Sequence, residues 1–312
     1  MKKNKQSKRV LVSGSVVYDT IFSLHGNIQD QIVLENGKLG HQNLMFTGKE
    51  KKVFFGGTGG NIVYGLSKLG VLPYLVSAVG KDFGEYKDYL KGKAELKVLE
   101  DKSGYTSVFY AMTDEAGEQI GVFQTGVYAK RVEKLALSSL LSATELSKVE
   151  VGIFAAGTAK SIASQMTELR KVNKNAIIIF DPGQMLGIDF TKSLLEKVLK
   201  VADIVIVNDV EQKILETKFG FGFEKVFKKG VKKIVVTEGS LGSSLYTHGE
   251  GKIEKVFVKA KTVKVVDPTG AGDAFRAGFI DALLKGKTEK QMLEAGNALG
   301  AKCVQKFGGQ GY

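Results

Sequence analysis

The chain has 312 residues, 43% of them hydrophobic, and 45 Lys and Arg against 33 Asp and Glu, for a formal net charge of +12. That length supports one sizeable core, no stretch approaches the roughly 20 apolar residues of a helical membrane span, and a single cysteine, Cys303, excludes an internal disulfide and a cysteine-based metal cluster, which fits a reducing cytoplasm. The lysines are scattered, as in 191–200 and 222–233, with no nucleic-acid-binding motif beside them, so they read as a solvated surface whose field favours anionic nucleotides.

In chain order, MKKNKQSKRV reads as a frayed leader before a strand at 10–13. Residues 20–55 are polar, glycine-containing and weakly periodic, and a helical pattern at 61–69 stops at Gly70. A strand at 73–79 follows, and then 104–112 and 119–124 alternate around DEAG as a hairpin would. From residue 151 strands and helices take turns: strands at 151–156, 176–181, 203–208 and 233–239, helices at 160–173, 191–200, 209–218, 273–285 (stopped by Gly286) and 288–306. Most of the strands are continuously apolar, as parallel strands covered on both faces are. The alternation predicts a doubly wound α/β sheet within a single domain spanning 1–312. The segments at about 20–55 and 104–127 break the βαβ pattern.

The segment DPTGAGDAF at 267–275 carries the strongest chemical signal. Gly270, Ala271 and Gly272 leave backbone amides unhindered ahead of a helix, which makes an anion site. Asp273 in the first turn feels the positive end of the helix dipole, which favours its ionised form and leaves it able to accept a proton beside a phosphate. Alone, GAGD also fits a glycine-rich helix entry with an acidic cap. The histidines, His25, His41 and His248, have no metal-ligand spacing, and no G-x-x-x-x-G-K-[ST] loop or protein-kinase signature is present.

DPTGAGDAF and the RAGFIDALL that follows resemble the C-terminal signature of the ribokinase, or PfkB, family of carbohydrate and nucleoside kinases. GGTGGN at 56–61, Gly70, Gly80 and VGKDFG at 79–84 resemble a second family signature, with Val63 where Ser, Thr or Ala is usual. The likeness extends from GSVVYD at 14–19 to FGGQG at 307–311 and looks most like the adenosine-kinase-like, nucleoside-phosphorylating branch. It implies a small β-sheet lid at the two irregular segments and transfer of the γ-phosphate of MgATP to a primary hydroxyl, with adenosine as first choice and a ribokinase- or fructokinase-like sugar kinase as the alternative. It further implies Mg2+ with ATP, leaves room for a monovalent cation such as K+, and allows a monomer or a homodimer. Neither nucleic acid nor membrane is expected as a partner.

By the same matching Asp273 is the catalytic base and Gly270, Ala271 and Gly272 the anion hole. Asp19, Gly56, Gly57 and Asn61 are assigned to the sugar, since a carboxylate accepts from two hydroxyls and an amide both donates and accepts. Asp19 read alone is equally a turn aspartate. Phe109, Tyr110 and Phe123 are the lid aromatics available to a base, with Phe123 the chosen one, although strand aromatics commonly serve a core. Asn208 and Glu211 in NDVE resemble the family's N-x-x-E element, which organises hydrated magnesium and the phosphates, and alone would be a helix cap. Thr237, Gly239 and Gly242 match the nucleotide loop, and Asn297 is assigned to the nucleotide base. Asp181 in FDPGQ resembles a turn near the active site, with a structural role for its carboxylate equally open. A noncatalytic sugar or nucleotide sensor and a dinucleotide-dependent enzyme are the competing classes; the second lacks G-x-G-x-x-G after the first strand.

Overall fold

The structure is a computed structural model that describes residues 9–32, 34–35, 38–39 and 44–312. The leader read at 1–10 lies mostly outside the described residues, as does His41. Fifteen strands are present among the described residues: β1 (Arg9–Ser13), β2 (Val17–Leu24), β3 (Leu34–Glu35), β4 (Lys38–Leu39), β5 (Gly48–Gly56), β6 (Tyr74–Gly80), β7 (Glu95–Asp101), β8 (Ser107–Thr113), β9 (Gln119–Gln124), β10 (Val149–Ala155), β11 (Ile177–Asp181), β12 (Ile204–Asn208), β13 (Lys233–Thr237), β14 (Gly242–Gly249) and β15 (Lys252–Lys259).

Nine of them form one sheet in the order β15-β14-β13-β12-β11-β10-β1-β6-β7. From β13 to β7 every pairing is parallel, and only β14 and β15 run antiparallel at one edge. The doubly wound, mostly parallel α/β sheet expected from the alternation is therefore present. Successive residues of β1 point to opposite faces: Val10 and Val12 join the core beneath the helices Thr58–Lys68, Ala271–Leu284 and Glu289–Cys303, while Leu11 joins the core beneath Ala159–Val172 and Lys192–Leu199. From β1 the chain moves to β6 and β7 on one side and returns through β10 on the other, so the order reverses between β1 and β10. Open α/β sheets bind ligands beyond the strand ends at such a reversal.

Strand order β5-β2-β8-β9 forms the second, smaller sheet. It begins at Val17, with only three residues between it and the end of β1, and Val17 pairs with both Gly56 and Ser107. Three of the strand ends that join this lid to the body therefore lie side by side, and the fourth, Gln124 of β9, pairs with Val108 next to Ser107. The hairpin expected around DEAG forms: Asp114 N–H donates to the Glu118 carbonyl at 3.0 Å, Gly117 takes φ +89°, and the Asp114 carboxylate accepts from the amides of Ile28 and Glu118, both at 2.8 Å.

The helices end where the glycine stops place them, with Gly70 at φ +81° and Gly286 at φ +66°. The stretch 222–233 is helical only over Phe223–Phe227, and the helix expected at 288–306 ends at Cys303. Strands β7, β14 and β15 escape the apolar-run criterion because polar residues interrupt them: β7 is mostly half-buried, β14 is GSSLYTHG, and β15 exposes its charged residues.

Candidate active site

Gly270 opens the helix Ala271–Leu284 in the left-handed region at φ +76°, and a Cβ there would lie 2.5 Å from the Cα of Gly309. A glycine is required on both counts. The amide of Ala271 donates to the Pro268 carbonyl at 3.2 Å, so of the amides expected in the anion cradle this one already has a partner. Asp273 points from the first turn toward the helix Thr58–Lys68, where Asn61 Nδ2 donates to its Oδ2 at 2.8 Å. The helix dipole alone would lower its pKa. Burial instead pushes the Asp273 carboxyl up to about 6, against the opposing pull of the Arg276 cation and the Asn61 hydrogen bond. At neutral pH it is thus largely a carboxylate and still a competent proton acceptor.

Asn61 is itself held. Its Oδ1 accepts from Gln310 Nε2 at 3.0 Å, and Gln310 also donates to the hydroxyl of the fully buried Tyr86, which donates to the Gly56 carbonyl at 2.8 Å. The FGGQG segment is therefore part of this site: Gly308 N–H donates to Asp267 Oδ2 and Thr269 N–H to Asp267 Oδ1, both at 2.8 Å. Motif matching included FGGQG in the likeness without giving Gln310 a role, since a buried glutamine near the end of a sequence carries no periodic signal.

Asp19 lies on the lid strand β2 opposite Phe54 and Phe109, and Phe109 lies opposite Phe123. Directly opposed residues share a face, so one row across the lid carries Asp19 and three phenylalanines. That face is the one toward Asp273 and the FGGQG loop, because the Asp273 charge acts on Asp19 and a Cβ on Gly308 would lie 3.0 Å from the Phe54 ring; the opposite face carries Tyr18 and Phe55, which pack on Tyr86. Tyr110 pairs with Thr20 and Val122 and so lies on the other face, away from Asp19; strand alternation separates it from the other two lid aromatics. Phe123 is 53% exposed, a large aromatic open to the cleft. Asp19 is 9% exposed, and burial together with the charges of Asp273 and Asp267 pushes its carboxyl up to about 7. A Cβ on Gly56 would lie 2.7 Å from Asp19 Cγ, so the missing side chain makes room for this carboxylate. Gly57, at φ +84°, faces the backbone of Ser15 and Val17.

Beside the cradle opens a cavity of about 430 Å3, lined by Thr237, Gly239, Gly242, Ala271, Gly272, Phe275 and Asn297 among others. Three motifs from distant parts of the sequence meet here, on an apolar floor such as a flat base needs. The amide of Asn297 is spent inside the protein, donating to the Val258 carbonyl and accepting from Ser243 Oγ, both at 3.0 Å. What it offers the cavity is a fixed surface. Asn208 and Glu211 form a reciprocal capping box on the helix Asp209–Thr217: Glu211 N–H donates to Asn208 Oδ1 at 2.7 Å, and Asn208 N–H to Glu211 Oε2 at 2.9 Å. Glu211 is buried, and desolvation with the nearby Asp181 charge raises its pKa. Asp181 does not face the cleft freely; its Oδ1 accepts from Arg276 Nη2 at 2.7 Å, and its Oδ2 meets Arg276 Nε. Arg276 was missed because an arginine inside a helix ordinarily reads as solvent-facing. Among the described residues no cluster of three or more metal-ligating side chains is found, and no helix is long and apolar enough to cross a membrane.

Residues 10–311 match the model of the pfkB family of carbohydrate kinases. A nucleoside kinase of Methanocaldococcus jannaschii is 31% identical over 239 residues, covering 75% of this chain and 73% of the relative. The solved structure of the nucleoside kinase from Methanocaldococcus jannaschii, described as an archaeal member of the ribokinase family, superposes with a TM-score of 0.81 at 28% identity, covering 98% of this chain and 94% of the other. The nucleoside kinase of Burkholderia thailandensis in complex with inosine superposes with a TM-score of 0.77 at 26% identity, covering 96% and 93%.

Proposed function

Because the chain belongs to the pfkB family of carbohydrate kinases and is thereby a phosphotransferase acting on an alcohol group, we propose that it transfers the γ-phosphate of MgATP to the 5′-hydroxyl of a nucleoside, adenosine first among them. One observation carries the nucleoside reading: Asp19 and the aromatics Phe109 and Phe123 share one face of the lid, toward the body that holds Asp273. A flat base stacks on an open aromatic row while its ribose meets the carboxylate. The inosine bound by the Burkholderia kinase supports the same class of acceptor.

In this reading Asp273 takes the proton of the 5′-hydroxyl as its oxygen forms a bond to phosphorus, and the bond from phosphorus to the bridging oxygen of ADP breaks. Asn61 and, behind it, Gln310 fix the direction of the accepting carboxylate oxygen. The amides of Gly272 and Asp273 meet the charge spread over the transferred group, the main contribution in such reactions. Gly56 and Gly57 serve the sugar by shaping Asp19 and its strand. The cavity walled by Thr237, Gly239, Gly242 and Asn297 takes the adenine and ribose of ATP. Glu211 and Asn208 fit a hydrated rather than a directly bound magnesium ion, because both carboxylate oxygens already accept from Asn208. The ion would neutralise phosphate charge. Comparing KCl with NaCl in the assay checks the monovalent-cation expectation.

Purified protein incubated with MgATP and a panel of nucleosides and sugars is the test. Adenosine or another purine nucleoside is expected to be phosphorylated at the 5′ position with kcat/KM at least tenfold above ribose, a difference of about 1.4 kcal/mol. A preference of that size for ribose, fructose or a sugar phosphate would replace the nucleoside reading with a sugar-kinase one.

A further inference from the structure

Arg276 stands three residues after Asp273 on the same helix, so both side chains project from one face. It is 7% exposed, and two of its nitrogens are committed to Asp181 at the end of β11. The third, Nη1, lies against Gly272: a Cβ on that residue would be 2.6 Å from it. A buried ion pair of this kind is weak evidence of stability, since apolar residues of similar volume commonly replace it without loss. Here a permanent cation, locked in direction by a bidentate carboxylate, sits under the first turn that forms the anion cradle.

We propose that Arg276, aimed by Asp181, is a positioning residue that keeps Asp273 as a carboxylate beneath the phosphate cradle and braces Gly272 within it. This rests on Asp273 being the base. The groups that face Asp273 come from every neighbouring element. Arg276 on its own helix draws its pKa down, and so does the Asn61 hydrogen bond from the helix Thr58–Lys68, while Asp181 on β11 pushes it up more weakly than Arg276 draws it down. Glu211 bears on Arg276, Asp19 on the lid repels Asp273, and the Cys303 thiol and Tyr312 hydroxyl behind it are held neutral by burial. The pair thus acts on the base with two opposite signs, the cation prevailing.

The experiment is the pH dependence of kcat/KM for wild type, Arg276→Met, Arg276→Lys, Asp181→Asn and Asp273→Asn, with thermal melts to establish folding. Arg276→Met is expected to move the acid limb up by about one pH unit or more, the size of an opposite charge at close range. Acceptor KM should stay within about threefold, while kcat at pH 7 falls about twofold for a one-unit shift of a base titrating near 6 and more for a larger one. Arg276→Lys, which keeps the charge and loses the fork, should move the limb less. Asp181→Asn should move it the other way, to lower pH, a sign that general loosening of the fold would not produce. If Arg276→Met does not fold, the charge-free Arg276→Met/Asp181→Asn pair replaces it, with its limb again above that of wild type. Limbs that stay in place, or that move in the same direction for Arg276→Met and Asp181→Asn, overturn the proposal while an inactive Asp273→Asn leaves the base intact. An active Asp273→Asn removes the base reading itself, and this proposal with it.

Discussion

Replacing Gly56 by alanine tests the acceptor site with one methyl group. Its backbone lies outside the left-handed region, so alanine meets no strain there, and the loss of unfolded-state freedom adds about 0.4–1 kcal/mol of stability. The methyl would stand 2.7 Å from Asp19 Cγ and 3.1 Å from Oδ1, with Oδ2 closer still. Carbon atoms pack at roughly 3.5–4.0 Å, so the Asp19 carboxylate must retreat by about 1 Å. A hydrogen bond to a charged group contributes about 1.5–3 kcal/mol, and its loss predicts a KM for the acceptor raised by roughly 10- to 150-fold. Nucleotide binding should be untouched, because the cavity lined by Thr237 and Gly242 shares no residue with this contact. Steady-state kinetics for the acceptor, with calorimetry of a nonhydrolysable ATP analogue on the same protein, separates the two sites. An acceptor KM within twofold of wild type in a folded variant would refute the role given to Asp19.

Asp273→Asn should lower kcat by about 10²- to 10⁴-fold while leaving the melting temperature and ATP binding nearly unchanged; turnover within a few-fold of wild type would remove it as the base. Asp19 carries a stability cost set by pH: its carboxyl titrates near 7 folded and near 3.8 unfolded, so the folded state retains a proton that the unfolded chain has lost, and stability falls as pH rises between those values. Asp19→Asn should therefore raise the melting temperature at pH 8, by up to about 4 kcal/mol of stability, and barely change it at pH 4; equal melting shifts at both pH values would contradict the buried, proton-holding carboxyl. Hydrogen exchange in the lid strands β2, β5, β8 and β9 should slow when acceptor is added, since excluding water prevents hydrolysis of ATP in place of transfer; identical protection with and without acceptor would leave the lid without that role.

The parallel body was legible because buried parallel strands are apolar runs and the helices between them end at glycines such as Gly70 and Gly286. The edge strands were not, since β15 exposes Lys252, Glu254, Lys255 and Lys259 between half-buried apolar residues and β7 is mostly half-buried. In the candidate site, residues within contiguous motifs could be singled out from sequence: Asp273, the small residues before it, Asp19 and Asn61. What sequence could not supply is pairing across distance. Asn61 reads as a sugar ligand from its motif, while its side chain spans 212 positions to reach Asp273 and 249 to meet Gln310. Arg276 and Asp181, 95 positions apart, read as unrelated. The helix dipole at Asp273 is a local property and could be anticipated; the burial that outweighs it is a property of the whole fold.

The single line of attachment of the lid has a mechanical consequence. Val17, Gly56 and Ser107 lie abreast, and every lid strand extends from that line. A strand advances roughly 3.3 Å per residue, so Asp19 lies ~7 Å from the line and the far end of β2 ~23 Å. A rotation of about 10° would carry Asp19 through little more than ~1 Å and the far end through ~4 Å. The groups proposed to grip the acceptor are at the pivot of the lever, and the sweep belongs to the rim. Opening to exchange ligands and holding the sugar in register with Asp273 therefore do not compete, and residues near the rim are free to vary in length and chemistry without disturbing the reacting atoms.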